Sequence, residues 1–192
     1  MDWSEIISKL DYPISIDTDQ LSMMGNLLEE SIWKRGDILK RGSSTTRSIL
    51  FVSAGLMQVF VRRKDETAEK QHRVTLALLK EGDFCILPHS RGHFIEAFSD
   101  AHTFIMAIDD REQANMEGIG LSRFLIEVSA VYQERMLEQQ ISLGTKTVNE
   151  RYQDLIQKFG SGIHHIPNYC LASYLCISPK HFGRLKSAFL RR

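Results

Sequence analysis

The chain contains only three cysteines among 192 residues, Cys85, Cys170 and Cys176, and their spacing fits no metal finger. Three thiols cannot all pair, so they read as reduced, mostly buried cysteines of a cytoplasmic protein. No apolar run approaches the length needed to cross a bilayer, and the opening MDWSEIISKL lacks a basic, apolar leader pattern. Neither a membrane span nor a signal peptide is expected. Internal repeats, low-complexity segments, catalytic triads and phosphate-cradling glycine loops are also missing, which argues against an enzyme. The last absence is local. From Lys158 to Arg192 there is no Asp or Glu but there are six Lys or Arg. The whole chain balances 24 basic against 24 acidic groups, so residues 1–157 carry 18 basic and 24 acidic, a net of −6. A neutral average hides a basic end on an acidic body, the distribution expected of a segment that meets phosphates.

What that basic end contains is patterned. In IPNYCLASYLCISPKHFGRLKSAFL, apolar or small residues fall at Leu171, Ala172, Leu175, Ile177, Phe182 and Leu185. The spacing predicts two short amphipathic helices joined by a tight turn, both stripes facing inward. Ala172 falls at the crossing, where a larger side chain would force the helices apart. Ser178 and Pro179 form a strong helix start, the serine as cap and the proline in the first helical position. Lys180, His181, Arg184 and Lys186 then lie on the free face of the second helix, the pattern of a DNA-reading helix. Cys176 takes the turn position that glycine usually fills, where a left-handed backbone costs about 1–2 kcal/mol, so a distorted turn is expected.

Upstream, residues 1–32 suggest short helices, one near Ile6, Ile7 and Leu10 and one capped by Asp17 or Thr18 and carrying Leu21, Met24, Leu27 and Leu28. From Trp33 the texture changes. Gly36, Gly42, Gly55 and Gly82 recur near the runs DILK, SILFVSAG, LMQVFVRR and RVTLALLKEG, which predicts an all-β sandwich or barrel. HFIEAF and HTFIMAI would complete it near Ile108, and charged, unpatterned Lys64–His72 reads as a solvated hairpin loop. A helical period returns at Leu121, Phe124, Leu125, Val128, Val131, Tyr132 and Met136, enough for a helix of roughly 30–40 Å. That stripe reads as a dimer seam, with packing onto the β unit as the alternative. Gly144 would end the helix. Thr147 and Glu150 form a capping box for the next one, whose inner face carries Val148, Tyr152, Leu155 and Phe159. Gly160 and Gly162 stop it, and His164-His165 belongs to a polar loop.

Taken in this order the chain resembles the cAMP receptor protein/FNR (Crp/Fnr) family of bacterial transcription regulators. The resemblance spans nearly the whole length and rests on KRGDILKRG, ILFVSAGLMQVF, KEGDF, the long helix, VNERYQDLI and, most specifically, LASYLCISPKHFGRLK. It implies an α+β chain with a cyclic-nucleotide-binding-like jelly-roll sensor over 1–112. A connecting dimerisation helix would follow over 113–144 and a helix-turn-helix domain over 145–192. The partners it implies are double-stranded DNA contacted by Ser178, Lys180, His181, Arg184 and Lys186, a second copy of the chain, and RNA polymerase. In that family a β wing usually follows the second helix. Here the sequence ends at Arg192, so a short form without the wing is expected.

The resemblance also locates a candidate ligand pocket at Gly82, Asp83, Phe84, Arg91 and Gly92. Families that bind cyclic nucleotides place a glutamate after glycine for the ribose hydroxyl, then an Arg-Ser/Thr pair for the cyclic phosphate. Asp83 is one methylene shorter, and Gly92 replaces the hydroxyl residue beside Arg91. A buried phosphate needs paired, charge-assisted donors, so the cassette argues against cAMP or cGMP and leaves the effector unassigned. Any smaller ligand would meet walls from Phe51, Leu78, Phe84 and HFIEAF. Other chemistries fare no better. His89, His93, Glu96 and His102 lack metal-ligand spacing, and His93 and Glu96 would face opposite ways on a strand, so no metal is expected. Haem would need an axial ligand from Cys85, His89 or His93, and the N-terminal cysteine cluster of an iron–sulfur sensor is missing. Two readings follow: a DNA-binding regulator, or a ligand-binding module without specific DNA activity.

Overall fold

The computed structural model describes residues 8–10, 28–41, 47–65, 68–87, 92–108 and 119–190. The helices expected before Leu28 fall almost wholly outside them, as do Gly42, His89 and Arg91. Eight strands are followed by four α-helices, numbered here as they occur among the described residues. The strands are β1 (Leu28–Trp33), β2 (Ile38–Arg41), β3 (Arg47–Ala54), β4 (Leu56–Asp65), β5 (Ala68–Lys80), β6 (Phe84–Leu87), β7 (His93–Ala97) and β8 (Ala101–Ile108). They form two four-stranded antiparallel sheets in the orders β1-β8-β3-β6 and β2-β7-β4-β5. This is the jelly roll that the glycine-spaced runs predict.

Alternation along the strands explains why several of them read as continuous apolar runs. In β3, Leu50 and Val52 point between the sheets, where they meet Met57, Val59, Leu79 and Ile95. Ile49 and Phe51 point the other way, into a second layer with Phe84, Phe104 and Met106. The long helix α1 (Ile119–Thr145) covers that layer, its Phe124 and Val128 fully buried against the sheet. A strand buried on both faces has no polar side to show. At the β3–β4 turn a Cβ on Gly55 would sit 2.5 Å from the Ala101 Cβ, and its φ of +95° independently favours glycine.

Four local expectations are corrected. Leu28 lies in β1, paired opposite Met106, and not on a helix. The charged stretch Lys64–His72 is mostly strand: β4 and β5 remain paired through Arg63–His72 and Lys64–Gln71, and only residues 66–67 separate them. Charge there marks a hairpin arm extending beyond the core, not a loss of pairing. The helical stripe around Val128 packs on its own barrel, the alternative weighed above. Phe124 and Val128 are buried, and Leu125, Val131 and Tyr132 pack partly beneath. Gly144 does not stop the helix, which continues through Thr145.

The C-terminal unit follows its caps. Helix α2 (Val148–Phe159) starts from the capping box: the Thr147 amide donates to Glu150 at 2.7 Å, and the Glu150 amide to Thr147 Oγ1 at 3.3 Å. Tyr152, Leu155 and Phe159 are buried on its inner face. A 3₁₀ turn (Gly160–His165) leads to α3 (Asn168–Tyr174) and α4 (Pro179–Leu190). Between α3 and α4, Cys176 adopts φ 57°, its amide donates to Ser173 O at 3.1 Å, and the Ile177 amide reaches Ala172 O at 3.0 Å. These paired bonds make a regular Schellman end with cysteine in the left-handed position. The turn expected to be distorted is regular, and the strain is absorbed by one residue.

Candidate functional site

Helix α4 begins as its sequence dictates, with the His181 amide donating to the Ser178 hydroxyl at 3.2 Å and Pro179 in the first turn. Phe182 and Leu185 are buried against α2 and α3, and Phe182 meets the Tyr152 ring edge-on at 5.3 Å. Ala172 is fully buried, as a helix crossing requires. The opposite face leaves Ser178, Lys180, His181 and Arg184 exposed. Lys186 sits apart from them: it is half-buried, and its Nζ donates to Asn168 Oδ1 at 3.0 Å, tying α4 to α3. A Cβ on Gly183 would meet nothing within 4 Å, so no neighbouring helix requires glycine there.

The ligand-cassette residues are placed differently from one another. Gly82 and Asp83 are buried in the β5–β6 turn, where the Gly82 amide donates to Val52 O at 3.0 Å. Asp83 has no exposed surface. Its Oδ1 accepts from Arg135 Nη2 of α1, and its Oδ2 accepts from Lys158 Nζ of α2 at 2.9 Å and from the Lys80 amide at 3.0 Å. One buried carboxylate thus joins the barrel, the long helix and the C-terminal unit. Phe84 packs beside it with Arg135 over its ring at 5.4 Å, while Gly92 lies across the barrel in the turn before β7. Asp83 and Phe84 belong together; Gly92 does not join them.

Arg135 and Lys158 were not singled out from the sequence. Arg135 had a legible signal, because it falls beside Tyr132 and Met136 on the stripe that packs inward. A cation at such a position needs a buried partner.

The same junction forms a half-open cavity of about 450 Å³ between β5, β6, α1, α2 and α3. Leu78 and Phe84 line it, whereas Phe51 faces α1 and the β7 residues lie elsewhere. Burial pushes the Cys85 thiol in its wall up to about 11, against relief from the Tyr132 hydroxyl 3.9 Å away, and raises that hydroxyl's pKa as well. A thiol held protonated makes a poor axial ligand.

The remaining polar candidates are engaged locally. Glu96 accepts from Arg73 at 2.9 Å and Gln58 at 2.6 Å, and His102 pairs with Glu30 at 2.7 Å on the other sheet. His93 is buried. Among the described residues no group of three His, Cys, Asp or Glu side chains converges. No described helix is long and apolar enough to cross a membrane.

The C-terminal unit docks firmly on the second sheet. The Thr75 amide of β5 donates to Ser173 Oγ of α3 at 2.9 Å, and Leu56, Leu78 and Phe98 share one apolar cluster with Leu155, Ile163 and Leu171. Burial raises the Cys170 thiol within this contact to about 11.

No family model and no curated protein matches the chain by sequence. Solved structures do match its shape. A mutant of CooA from Carboxydothermus hydrogenoformans aligns at a TM-score of 0.60 and 16% identity, covering 100% of this chain and 85% of that one. FixK2 from Bradyrhizobium japonicum aligns at 0.65 and 15%, covering 85% of each. A protein from Eubacterium rectale, assigned to the crp/fnr family of transcriptional regulators, aligns at 0.62 and 16%, covering 91% and 84%. Identities this low speak to architecture, and in architecture the chain is similar to Crp/Fnr regulators: an antiparallel jelly roll, a long helix and a helical C-terminal region in one α+β fold.

Proposed function

We propose that the chain is a homodimeric, DNA-binding transcription regulator of the Crp/Fnr type, in which a jelly-roll sensor controls a helix-turn-helix. The observation that carries this reading is the free face of α4. Lys180, His181 and Arg184 are exposed together on a helix capped by Ser178, within a 35-residue end that contains no acid. Such a face suits the major groove, with side chains of the first turns reaching base edges. The sensor would span 1–112, the connecting helix 113–144 and the DNA-binding domain 145–192. A regulator of this kind acts on RNA polymerase.

A second copy would be held by α1. Ile126, Leu137 and Ile141 are 69%, 56% and 53% exposed. With Ala130 they recur at steps of four, seven and four residues, which keeps them on one side, opposite the buried Val128. An apolar line of this length on a helix already docked by its other face fits a two-fold coiled-coil seam. The test is duplex binding against salt. Affinity should fall steeply as salt rises, and a selected operator should be a rough palindrome with half-sites about 34 Å apart or a multiple of it. Absence of salt-dependent binding would leave the second reading, a ligand-binding module without DNA activity.

A further inference from the structure

The lining of the junction cavity is mixed. Its apolar members are Leu78, Leu79, Phe84, Met136, Leu155 and Leu175. Its charged members are Arg135, Lys146, Arg151 and Lys158 with Asp83, Glu138 and Asp154. Three of the four cations are already committed. Arg135 and Lys158 hold Asp83, and Lys146 donates to Asp154 at 2.8 Å. Arg151 is the one left over among the described residues. Its Nε is buried and has no hydrogen-bond partner, the only described side-chain nitrogen or oxygen in that condition. A buried N–H without an acceptor is costly. A cavity of 450 Å³ lies within the roughly 300–1,000 Å³ range of small-molecule sites.

From these features we infer that the junction cavity is a binding site for a small monocarboxylic acid with an apolar body, its carboxylate accepted by Arg151. The charge count selects a monoanion, since four cations line the cavity with three carboxylates. A planar guanidinium matches a carboxylate in two parallel hydrogen bonds. The apolar lining residues account for the rest of the ligand, at about 25 cal/mol for each Å² of its surface removed from water. The site is distinct from the cyclic-nucleotide cassette: Arg91 and Gly92 have no part in it, and Asp83 contributes as the partner of two cations, not as a ligand group. It is also shared. β5 and β6 supply one wall, α1 another, and α2 and α3 the third, so occupancy would hold the three together. Calling the ligand an effector rests on the regulator reading above; its binding does not.

The experiment is calorimetry on the full-length protein, without DNA, using octanoate, phenylacetate and indole-3-acetate as probes and 1-octanol as the uncharged control. At least one carboxylate should bind ten-fold or more tightly than the alcohol. Arg151→Gln should weaken that carboxylate at least ten-fold, Arg151→Lys should recover part of the loss, and exposed Arg63→Gln should change nothing. Thermal midpoints within a few degrees of the parent establish that each variant is folded; if Arg151→Gln alone fails this, Arg151→Lys carries the comparison. Binding of none of the three acids, or equal affinity in the parent and the folded Arg151 variants, would overturn the inference. Because duplex binding is measured separately, loss of one result leaves the other intact.

Discussion

The Asp83 carboxylate and the Lys158 ammonium lie 2.9 Å apart, the first wholly buried in the barrel and the second on the last turn of α2. Arg135 of α1 completes the arrangement from the other oxygen. Lys158 is well placed for this role, since a cation at a helix C-terminus also meets the negative end of its dipole. The three parts of the chain therefore meet at a single charge, as well as through the apolar cluster of Leu56, Leu78 and Phe98 with Leu155 and Leu171.

That meeting point makes unequal demands on its members. Asp83→Ala strands Arg135 and Lys158 together and should cost about 3–5 kcal/mol of stability, as for a buried pair that loses one partner. Lys158→Ala leaves Asp83 with Arg135 and the Lys80 amide, and Lys158 is partly in solvent, so about 1 kcal/mol is expected. Urea denaturation measures both. The second variant should also raise hydrogen exchange in α2 and α3 while leaving β3 and β8 protected. Equal losses in the two variants would mean that the pair is not organised around Asp83.

The two faces of α1 should separate folding from association. Leu137→Asp and Ile141→Asp alter exposed positions and should yield folded monomers at micromolar concentration by light scattering. Val128→Asp buries a charge against the barrel and should destabilise the chain severely. A parent protein that is monomeric at that concentration would remove the seam.

Which parts of this were legible beforehand follows from where the physics is local. Caps and periods act over a few residues, so the capping box at Thr147, the Ser178 start, the crossing at Ala172, strands β2, β3, β7 and β8 and the inner parts of β4 and β5 could be read directly. Elements decided by distant partners could not. Strand β1, LEESIW, has a mixed burial pattern and exists because it pairs with β8 some seventy residues later. The four-residue β6 is specified only by lying beside β3. The α1 stripe was visible, but periodicity reports that a face is buried and not against what. Asp83 was placed on the correct turn and given a ligand's role, because Lys158 lies 75 positions downstream and no short-range signal links the two.

Burial of two thiols gives the protein an alkaline limit. Cys85 and Cys170 rise from an ordinary value of 9.0 to about 11 in the folded state, chiefly through desolvation. Between those values the unfolded chain loses protons that the folded chain keeps. Their stabilising contribution is thus complete below about pH 9 and is lost progressively as pH rises through 11. Urea midpoints from pH 8 to 11 should fall, and Cys85→Ala should flatten the slope. Iodoacetamide at pH 8 should label exposed Cys176 well before the two buried thiols.

The sharpest test of the regulator reading lies in Arg184 and Lys186, two positions apart on α4. Arg184 is exposed, six residues after the Ser178 cap and on the side away from buried Phe182 and Leu185. Its fork matches guanine O6 and N7, and such a contact is worth about 1–3 kcal/mol of discrimination. Lys186 is drawn toward Asn168 and half-buried, so it would approach a phosphate beside the groove rather than a base. Pro179 has no side-chain donor, which leaves one position near the start of the helix unable to read. Arg184→Ala should therefore erase preference at one base position in each half-site and spare the others. Lys186→Ala should weaken all sequences alike and lower the salt slope by about one. Arg184 is exposed and Lys186→Ala loses one exposed hydrogen bond to Asn168, so both variants should stay folded, with thermal midpoints within a few degrees of the parent's. Binding selections on the two would decide it: an unchanged sequence preference in Arg184→Ala means that α4 docks by another face.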